Sequence, residues 1–126
     1  MRLNALLLAA MLGLLPAVVF AANDGEASGE RSPGDMSVDE RGRMMQSTNE
    51  YNNCVFKQAT DKIGSDPDIR RIADHALSAC QPQLEALQHQ IKSWKFPAYF
   101  ANGFARTVRD RAARNILPEL ATRKGN

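Results

Sequence analysis

The chain has 126 residues, with 16 basic and 14 acidic side chains and a formal net charge of +2. This length fits a single domain, and a charge so close to balance provides no strong field for binding nucleic acid. We therefore predict no nucleic-acid partner.

The N-terminal segment is typical of a secretory signal peptide. A cationic start precedes an apolar run over 5–20 and a small-residue ending at Ala21. That run contains Pro16 and is about 16 residues long, whereas a bilayer-spanning helix needs roughly 20. We therefore interpret 1–21 as a signal peptide cleaved after Ala21 and not as a membrane anchor, and we predict a periplasmic or secreted protein.

The first predicted helix follows a polar leader. Residues 22–36 are small, polar and rich in Gly and Pro, and this composition predicts a disordered segment. Ser37 followed by Glu40 three residues later fits a capping box. From there one stripe recurs in steps of three and four, which predicts a helix to about Ile63. The stripe consists of Met44, Thr48, Tyr51, Val55, Ala59 and Ile63. Gly64 then occupies the position of a left-handed C-terminal cap.

The second predicted helix is long. Ser65 or Asp66 can cap it, and Pro67 suits the first helical position. Pro82 would normally end a helix, because it lacks an amide hydrogen and crowds the previous turn. The apolar stripe nevertheless keeps its phase through this proline, so we predict one helix over 67–95 with a kink near Pro82. The stripe consists of Ala73, Leu77, Cys80, Leu84, Leu87, Ile91 and Trp94.

A third helix is predicted over 98–117, after a break at Pro97. Pro118 ends it or kinks its last turn, and residues 121–126 are expected to fray. No segment alternates with period two for long enough to predict a strand. The predicted fold is therefore all-α, with one domain over 37–120. In it an antiparallel helical hairpin with a kinked long second helix packs against a third C-terminal helix.

Cys54 and Cys80 are predicted to form a disulfide. They are equidistant from Pro67, so in an antiparallel hairpin both lie roughly 20 Å from the turn. Export permits a disulfide, and a separation of 26 residues excludes a CxxC redox motif. His75 points about 140° away from Cys80 on a helix, which disfavours a nucleophilic cysteine. An intermolecular bridge is the other alternative.

The sequence shows no catalytic or metal-binding motif. His75 and His89 are about 21 Å apart along one helix, so they cannot share a metal ion. No HExxH motif, Ser-His-Asp order or Gly-rich phosphate loop occurs. We therefore predict no catalytic, cofactor-binding or metal-binding residue and no enzymatic activity. An enzyme without a recognisable motif is the least favoured alternative.

An aromatic and basic segment gives the candidate interaction surface. Five of the seven aromatic residues after residue 21 lie within 94–104, and residues 89–126 carry eight basic side chains against two acidic ones. The aromatic residues either fill the core beside the third helix or form an exposed patch. Arg106, Asp110 and Arg114 are spaced for intrahelical ion pairs, so the charges also fit a solvated face. The candidate surface comprises Trp94, Tyr99, Phe100, Arg106, Arg109, Arg111 and Arg114.

The stretch from Tyr51 to Leu87 contains YNNCVFKQA and DIRRIADHALSACQPQLEAL. It resembles small exported bacterial proteins, mainly uncharacterised, that have one cysteine in each of two hairpin helices. This resemblance implies a structural role for the cysteines and no chemistry. The leading prediction is an exported, non-enzymatic interaction protein whose partner is an unidentified protein. The alternative is a membrane-surface or envelope-stress protein that binds anionic lipid. The sequence does not indicate an oligomeric state.

Overall fold

A computed structural model describes residues 29–125, and these residues form an all-helical fold. The predicted signal peptide over 1–21 and the leader residues 22–28 lie outside the described residues. Within 29–125 no β-strand occurs, and no helix is both long and apolar enough to cross a membrane. The all-α prediction is confirmed. The elements are a 3-10 helix at Pro33–Asp35, α1 at Val38–Asp61, α2 at Ile69–Ala79, α3 at Gln81–Ser93 and α4 at Ala98–Lys124.

α1 begins at the predicted capping box. The Ser37 hydroxyl accepts a hydrogen bond from the Glu40 amide at 3.1 Å, and the Glu40 carboxylate accepts one from the Ser37 amide at 2.8 Å. The predicted cap at the other end is wrong, because Gly64 does not have a positive φ. α1 instead ends at Asp61, two residues before the predicted end, and the Lys62 amide donates to the Ala59 carbonyl at 3.2 Å.

α2 begins two residues later than predicted. Its cap is Asp68, whose carboxylate accepts from the Arg70 amide at 2.9 Å, so neither Ser65 nor Asp66 caps it and Pro67 precedes the helix. The Asp66 carboxylate accepts from the Asp68 amide at 2.8 Å. This side-chain turn fixes the backbone ahead of the helix and moves the start to Ile69.

The single helix predicted over 67–95 is divided in the structure. Cys80 lies between α2 and α3 with a φ of −95° and a ψ of 4°. Pro82 is in the first turn of α3, where its missing amide hydrogen costs nothing. The break between α2 and α3 therefore precedes Pro82, so the proline ring does not clash with a preceding helical turn. The predicted stripe is buried from Ala73 to Ile91, and Trp94 is half-buried, so the two helices act as one rod.

Residues 29–36, predicted to belong to a disordered leader, are packed against the domain. The Arg31 amide donates to the Lys95 carbonyl at 2.7 Å, and Met36 is 5 % exposed. This segment is ordered despite its polar composition, because the contacts of Arg31 and Met36 offset the conformational entropy that the chain loses on ordering. Lys95 itself adopts a left-handed φ of 68° after α3, and this turn leads into α4.

α4 is longer than predicted. It continues through Pro118 to Lys124, so an end near Leu117 is wrong, and residues 121–124 of the predicted frayed tail are helical. Two contacts explain the extension. Leu120 is fully buried in the core, and the Lys124 ammonium donates to the Asp66 carbonyl at 2.5 Å. Asn126 lies outside the described residues.

The disulfide between Cys54 and Cys80 is confirmed and joins α1 to the α2–α3 junction. Its sulfur atoms are 2.02 Å apart, and the two Cα atoms are 5.9 Å apart. The Ser47 hydroxyl bonds to the Gln90 side-chain oxygen at 3.0 Å. Moving forward along α1 from Ser47 to Cys54 thus corresponds to moving backward along the second rod from Gln90 to Cys80, so these rods are antiparallel. α4 closes the core from the third side and runs in the same direction as α1.

The core lies where the three rods meet. Each helix contributes one buried stripe at the spacing that the sequence predicted for it. The fully or nearly fully buried side chains are Met36, Tyr51, Val55, Ala59, Ile72, Ala73, Ala76, Leu77, Cys80, Leu84, Leu87, Ile91, Phe96, Ala101, Ala105, Val108, Ala112, Ile116 and Leu120.

Candidate binding surfaces on α4

The aromatic residues predicted for the interaction surface divide between core and solvent. Tyr99 is 73 % exposed, whereas Trp94 and Phe100 are half-buried. Phe96 is buried, and its ring lies 5.8 Å from that of Phe100, which in turn lies 6.4 Å from Phe104. The three rings therefore lie in a row that runs from the turn before α4 onto the first turns of α4. The row starts in the core and reaches the surface at Phe104.

The four predicted arginines do not form one patch. At about 100° per residue, Arg106 and Arg109 lie about 60° apart around α4, whereas Arg111 is about 140° from Arg106. Arg114 lies on the side of α4 opposite the buried stripe. All four side chains are exposed, and none of the ion pairs within 29–125 involves them. The predicted ion pairs of Asp110 with Arg106 and Arg114 are therefore absent from the described structure.

A groove follows the line where α1 and α4 lie side by side. It consists of two adjoining cavities of about 290 and 330 Å³ that share Asn52. The groove extends over 44–56 of α1, which corresponds to about 18 Å of helix. We call it the α1–α4 groove. Its lining residues are Met44, Met45, Thr48, Asn49, Asn52, Asn53, Val55 and Phe56 from α1, and Phe104, Thr107, Val108, Arg111, Ala112, Asn115, Ile116 and Glu119 from α4.

One end of the α1–α4 groove is rich in methionine. Met44 is half-buried and Met45 is 65 % exposed, and both line the wall that faces Phe104. Methionine side chains adapt to irregular apolar partners because they are unbranched and polarizable. Arg111 lines the same cavity, so a positive charge stands beside this apolar surface.

Asn52 lies at the centre of the α1–α4 groove. Its side-chain oxygen is buried, and no hydrogen-bond partner for it occurs among the described residues. A buried acceptor without a partner is costly.

The sequence did not predict this groove. It gave Met44 as a residue of the apolar stripe and left Met45 unused. Adjacent residues on a helix point about 100° apart, so the pair Met44-Met45 could have indicated an apolar surface wider than one core stripe. The opposite wall comes from residues about sixty positions later, and only the packing of the helices brings the two walls together.

A separate depression lies between α3 and α4. Arg106 and Arg109 line it together with the side-chain amides of Gln81, Gln88 and Asn102, and its volume is about 450 Å³. Leu84 and Ala105 also line it and are buried in the core. We call it the α3–α4 depression. The predicted surface residues therefore belong to two different sites, Arg106 and Arg109 to the depression and Arg111 to the groove.

Arg109 also acts on a buried tyrosine. The Tyr51 hydroxyl is buried, and no partner for it occurs within 29–125. Burial raises the pKa of Tyr51, and the positive charge of Arg109 opposes that rise.

Other titratable residues do not converge on a site. Among the described residues, no group of three or more His, Cys, Asp or Glu side chains is arranged to hold a metal ion. His75 and His89 are both exposed. No family model, curated protein or solved structure matches this chain.

Proposed function

We propose that this protein is an exported, non-enzymatic binding protein that holds an amphipathic helix of a partner protein in the α1–α4 groove. The observation that carries the proposal is the groove itself, which is mainly apolar at the end lined by Met44 and Phe104 and also carries Arg111 and Glu119 on its α4 wall. The Cys54–Cys80 disulfide supports export to the periplasm or beyond, because disulfides persist in oxidising compartments. The composition of 1–21 supports the same location.

The shape of the α1–α4 groove favours a helix as its occupant. Two helices that run in the same direction leave a furrow between them, and a third helix fills such a furrow by ridge-into-groove packing. A channel of about 18 Å matches about 12 residues of helix, or three to four turns. Such a helix would place apolar residues at steps of three and four against Met44, Val108 and Phe104.

The polar groups of the α1–α4 groove define the chemistry of the partner. Arg111 has no carboxylate partner within 29–125, whereas Glu119 at the far end is already paired with Arg123 at 2.6 Å. The partner helix should therefore carry an acidic residue opposite Arg111.

The test is selection from a library of 14-residue peptides with apolar residues at helical spacing. We expect enriched peptides to carry an acidic residue beside the apolar positions and to shift amide signals of Met45, Thr48, Thr107 and Arg111 in NMR spectra. In the variant Arg111→Glu their affinity should fall at least tenfold. A peptide with lysine in place of its acidic residue should recover that loss.

Arg114→Glu is the matched control, since it makes the same charge change on α4 outside the groove. Its peptide affinity should stay within twofold of the wild type. Selected peptides that shift signals elsewhere, or an equal loss in Arg114→Glu, would refute the proposal. Association with phosphatidylglycerol vesicles in the absence of any peptide binding would favour the membrane alternative instead.

A further inference from the structure

We propose that the α3–α4 depression is a binding site for a phosphoryl group, held by the guanidinium groups of Arg106 and Arg109 and the side-chain amides of Gln81, Gln88 and Asn102. This site is separate from the α1–α4 groove, because Arg109 and Arg111 point about 160° apart around α4. The two sites can therefore be tested independently.

The two arginines are placed to act on one ligand. They are three residues apart on α4, a spacing at which side chains are neighbours on the helix surface. Both line the same depression, and neither forms an ion pair among the described residues. Two adjacent cations that lack counter-charges favour an anion between them.

Amide groups complete the ring of donors around the α3–α4 depression. Gln81 and Gln88 come from α3 and Asn102 from the second turn of α4. The Gln81 amide donates to Glu85 at 3.3 Å, which is a long hydrogen bond that an anion could replace. Glu85 itself does not line the depression. Leu84 and Ala105 form the buried floor of the depression.

This donor set fits a phosphoryl group better than a carboxylate. A phosphate monoester carries a charge of about −1.5 to −2 at pH 7 and has three strong acceptor oxygens. A carboxylate carries one charge and two oxygens, so it would leave one guanidinium without a counter-charge. Guanidinium groups bind phosphate oxygens in bidentate fashion, which suits the pair Arg106 and Arg109.

The source of the phosphoryl group is open to test. The phosphoryl group could belong to a soluble molecule or to a lipid headgroup, and its chemistry at this site would be the same.

The experiment is an NMR titration of the full mature chain with inorganic phosphate and with inorganic pyrophosphate at constant ionic strength. We expect saturable shifts of the Nε–H signals of Arg106 and Arg109 and of the side-chain amides of Gln81 and Gln88. Arg106→Gln and Arg109→Gln should each weaken binding at least tenfold. Arg106→Lys should weaken it by several-fold, because it keeps the charge and loses the planar fork.

Arg114→Gln removes one positive charge from α4 outside the depression and should change the affinity by less than twofold. Far-UV circular dichroism of each variant verifies that the helices are intact. An equal loss in Arg114→Gln, or the absence of saturable shifts up to 100 mM pyrophosphate, a concentration on the order of the weakest meaningful affinity, would overturn the proposal.

A second arm identifies the source of the phosphoryl group. Vesicles of phosphatidylcholine with and without phosphatidic acid are sedimented with the wild type and with Arg109→Gln. Loss of sedimentation in Arg109→Gln, with retention in Arg114→Gln, supports a lipid headgroup. Absence of sedimentation together with specific pyrophosphate binding supports a soluble ligand. Sedimentation that is equal in all three proteins, without specific pyrophosphate binding, contradicts the site.

Discussion

The guanidinium of Arg31 joins the segment before α1 and the start of α1 to a turn that is distant in sequence. It donates to the two Glu40 carboxylate oxygens at 2.6 and 3.1 Å, to the Trp94 carbonyl at 3.2 Å and to the Asp35 carbonyl at 2.8 Å. It also lies 4.5 Å from the centre of the Phe96 ring. These contacts fasten the segment before α1 to the turn between α3 and α4. Composition alone could not predict them, because they depend on a turn about sixty residues later.

The Arg31–Glu40 pair makes stability depend on pH in the acid range. The hydrogen bonds from Arg31, and then that from the Ser37 amide, lower the pKa of Glu40 from its ordinary value of 4.5 to about 2. In the unfolded chain this carboxyl takes up its proton at higher pH than in the folded protein. Its stabilisation is therefore complete above about pH 5 and is lost as the pH falls towards 2. Urea unfolding at pH 7, 5, 3.5 and 2.5 should show this decline.

Glu40→Gln separates this effect from that of other carboxylates. The variant should be less stable than the wild type at pH 7, and the difference should shrink as the pH falls from 5 to 2. Glu50→Gln, an exposed position of α1 that bonds only to Gln46 among the described residues, should cost far less at pH 7. A constant difference between Glu40→Gln and wild type across this pH range would disprove the assignment.

Helix boundaries depended more on local hydrogen bonds than on glycine and proline positions. Gly64 predicted a left-handed cap, yet the left-handed residue that follows a helix in the described structure is Lys95, whose carbonyl accepts from the Arg31 amide. Pro118 predicted an end, yet α4 passes through it. The amide hydrogen that this proline lacks would bond to the Arg114 carbonyl, on the solvent side of the helix. The buried stripes, in contrast, were predicted well, because side-chain burial follows helical periodicity whatever the exact helix ends.

Gly42 in α1 and Gly103 in α4 weaken their helices, and no steric constraint requires glycine at either position. A Cβ atom at either position would meet no other atom within 4 Å, and neither residue has a positive φ. Glycine inside a helix costs about 1 kcal/mol relative to alanine. Gly42→Ala and Gly103→Ala should therefore each raise the free energy of unfolding by about 0.5–1 kcal/mol, measured by urea denaturation.

The reverse change at an exposed site of α3 is the matched control. Ala86→Gly should lower the free energy of unfolding by about the same amount, with no loss of packing. The effects of Gly42→Ala and Gly103→Ala should add, because the two positions share no contacts. If Gly42→Ala were less stable than the wild type, the side of α1 that carries Gly42 would be in contact with a further group.

At the scale of the whole molecule, three rods are held together by one core and one covalent bond. The sequence predicted the rods, their antiparallel hairpin and the disulfide, since each follows from spacing within about thirty residues. It did not predict the α1–α4 groove or the α3–α4 depression. Both arise where helices that are distant in sequence lie side by side, and the relative rotation of two helices is set by packing that a single sequence does not display.

The disulfide should supply a large part of the stability of this small domain. Cys54 and Cys80 close a loop of 26 residues, and loop-closure entropy assigns such a bond about 3.5 kcal/mol. Domains of this size have roughly 5–15 kcal/mol in total. The variant Cys54→Ala/Cys80→Ala should therefore remain helical at 25 °C but unfold at much lower urea concentration. The free energy of unfolding of this variant should also fall more steeply with urea concentration than that of the wild type, because an unfolded chain without the cross-link exposes more surface.

Reduction of the wild-type disulfide gives an independent measure of the same effect. Dithiothreitol should lower the unfolding midpoint of the wild type to near that of Cys54→Ala/Cys80→Ala and should not alter the variant. Agreement between the two would assign the loss to the cross-link, since reduction removes no atoms from the core around Cys80. A loss below about 1 kcal/mol would mean that packing of the three rods, and not the cross-link, dominates stability.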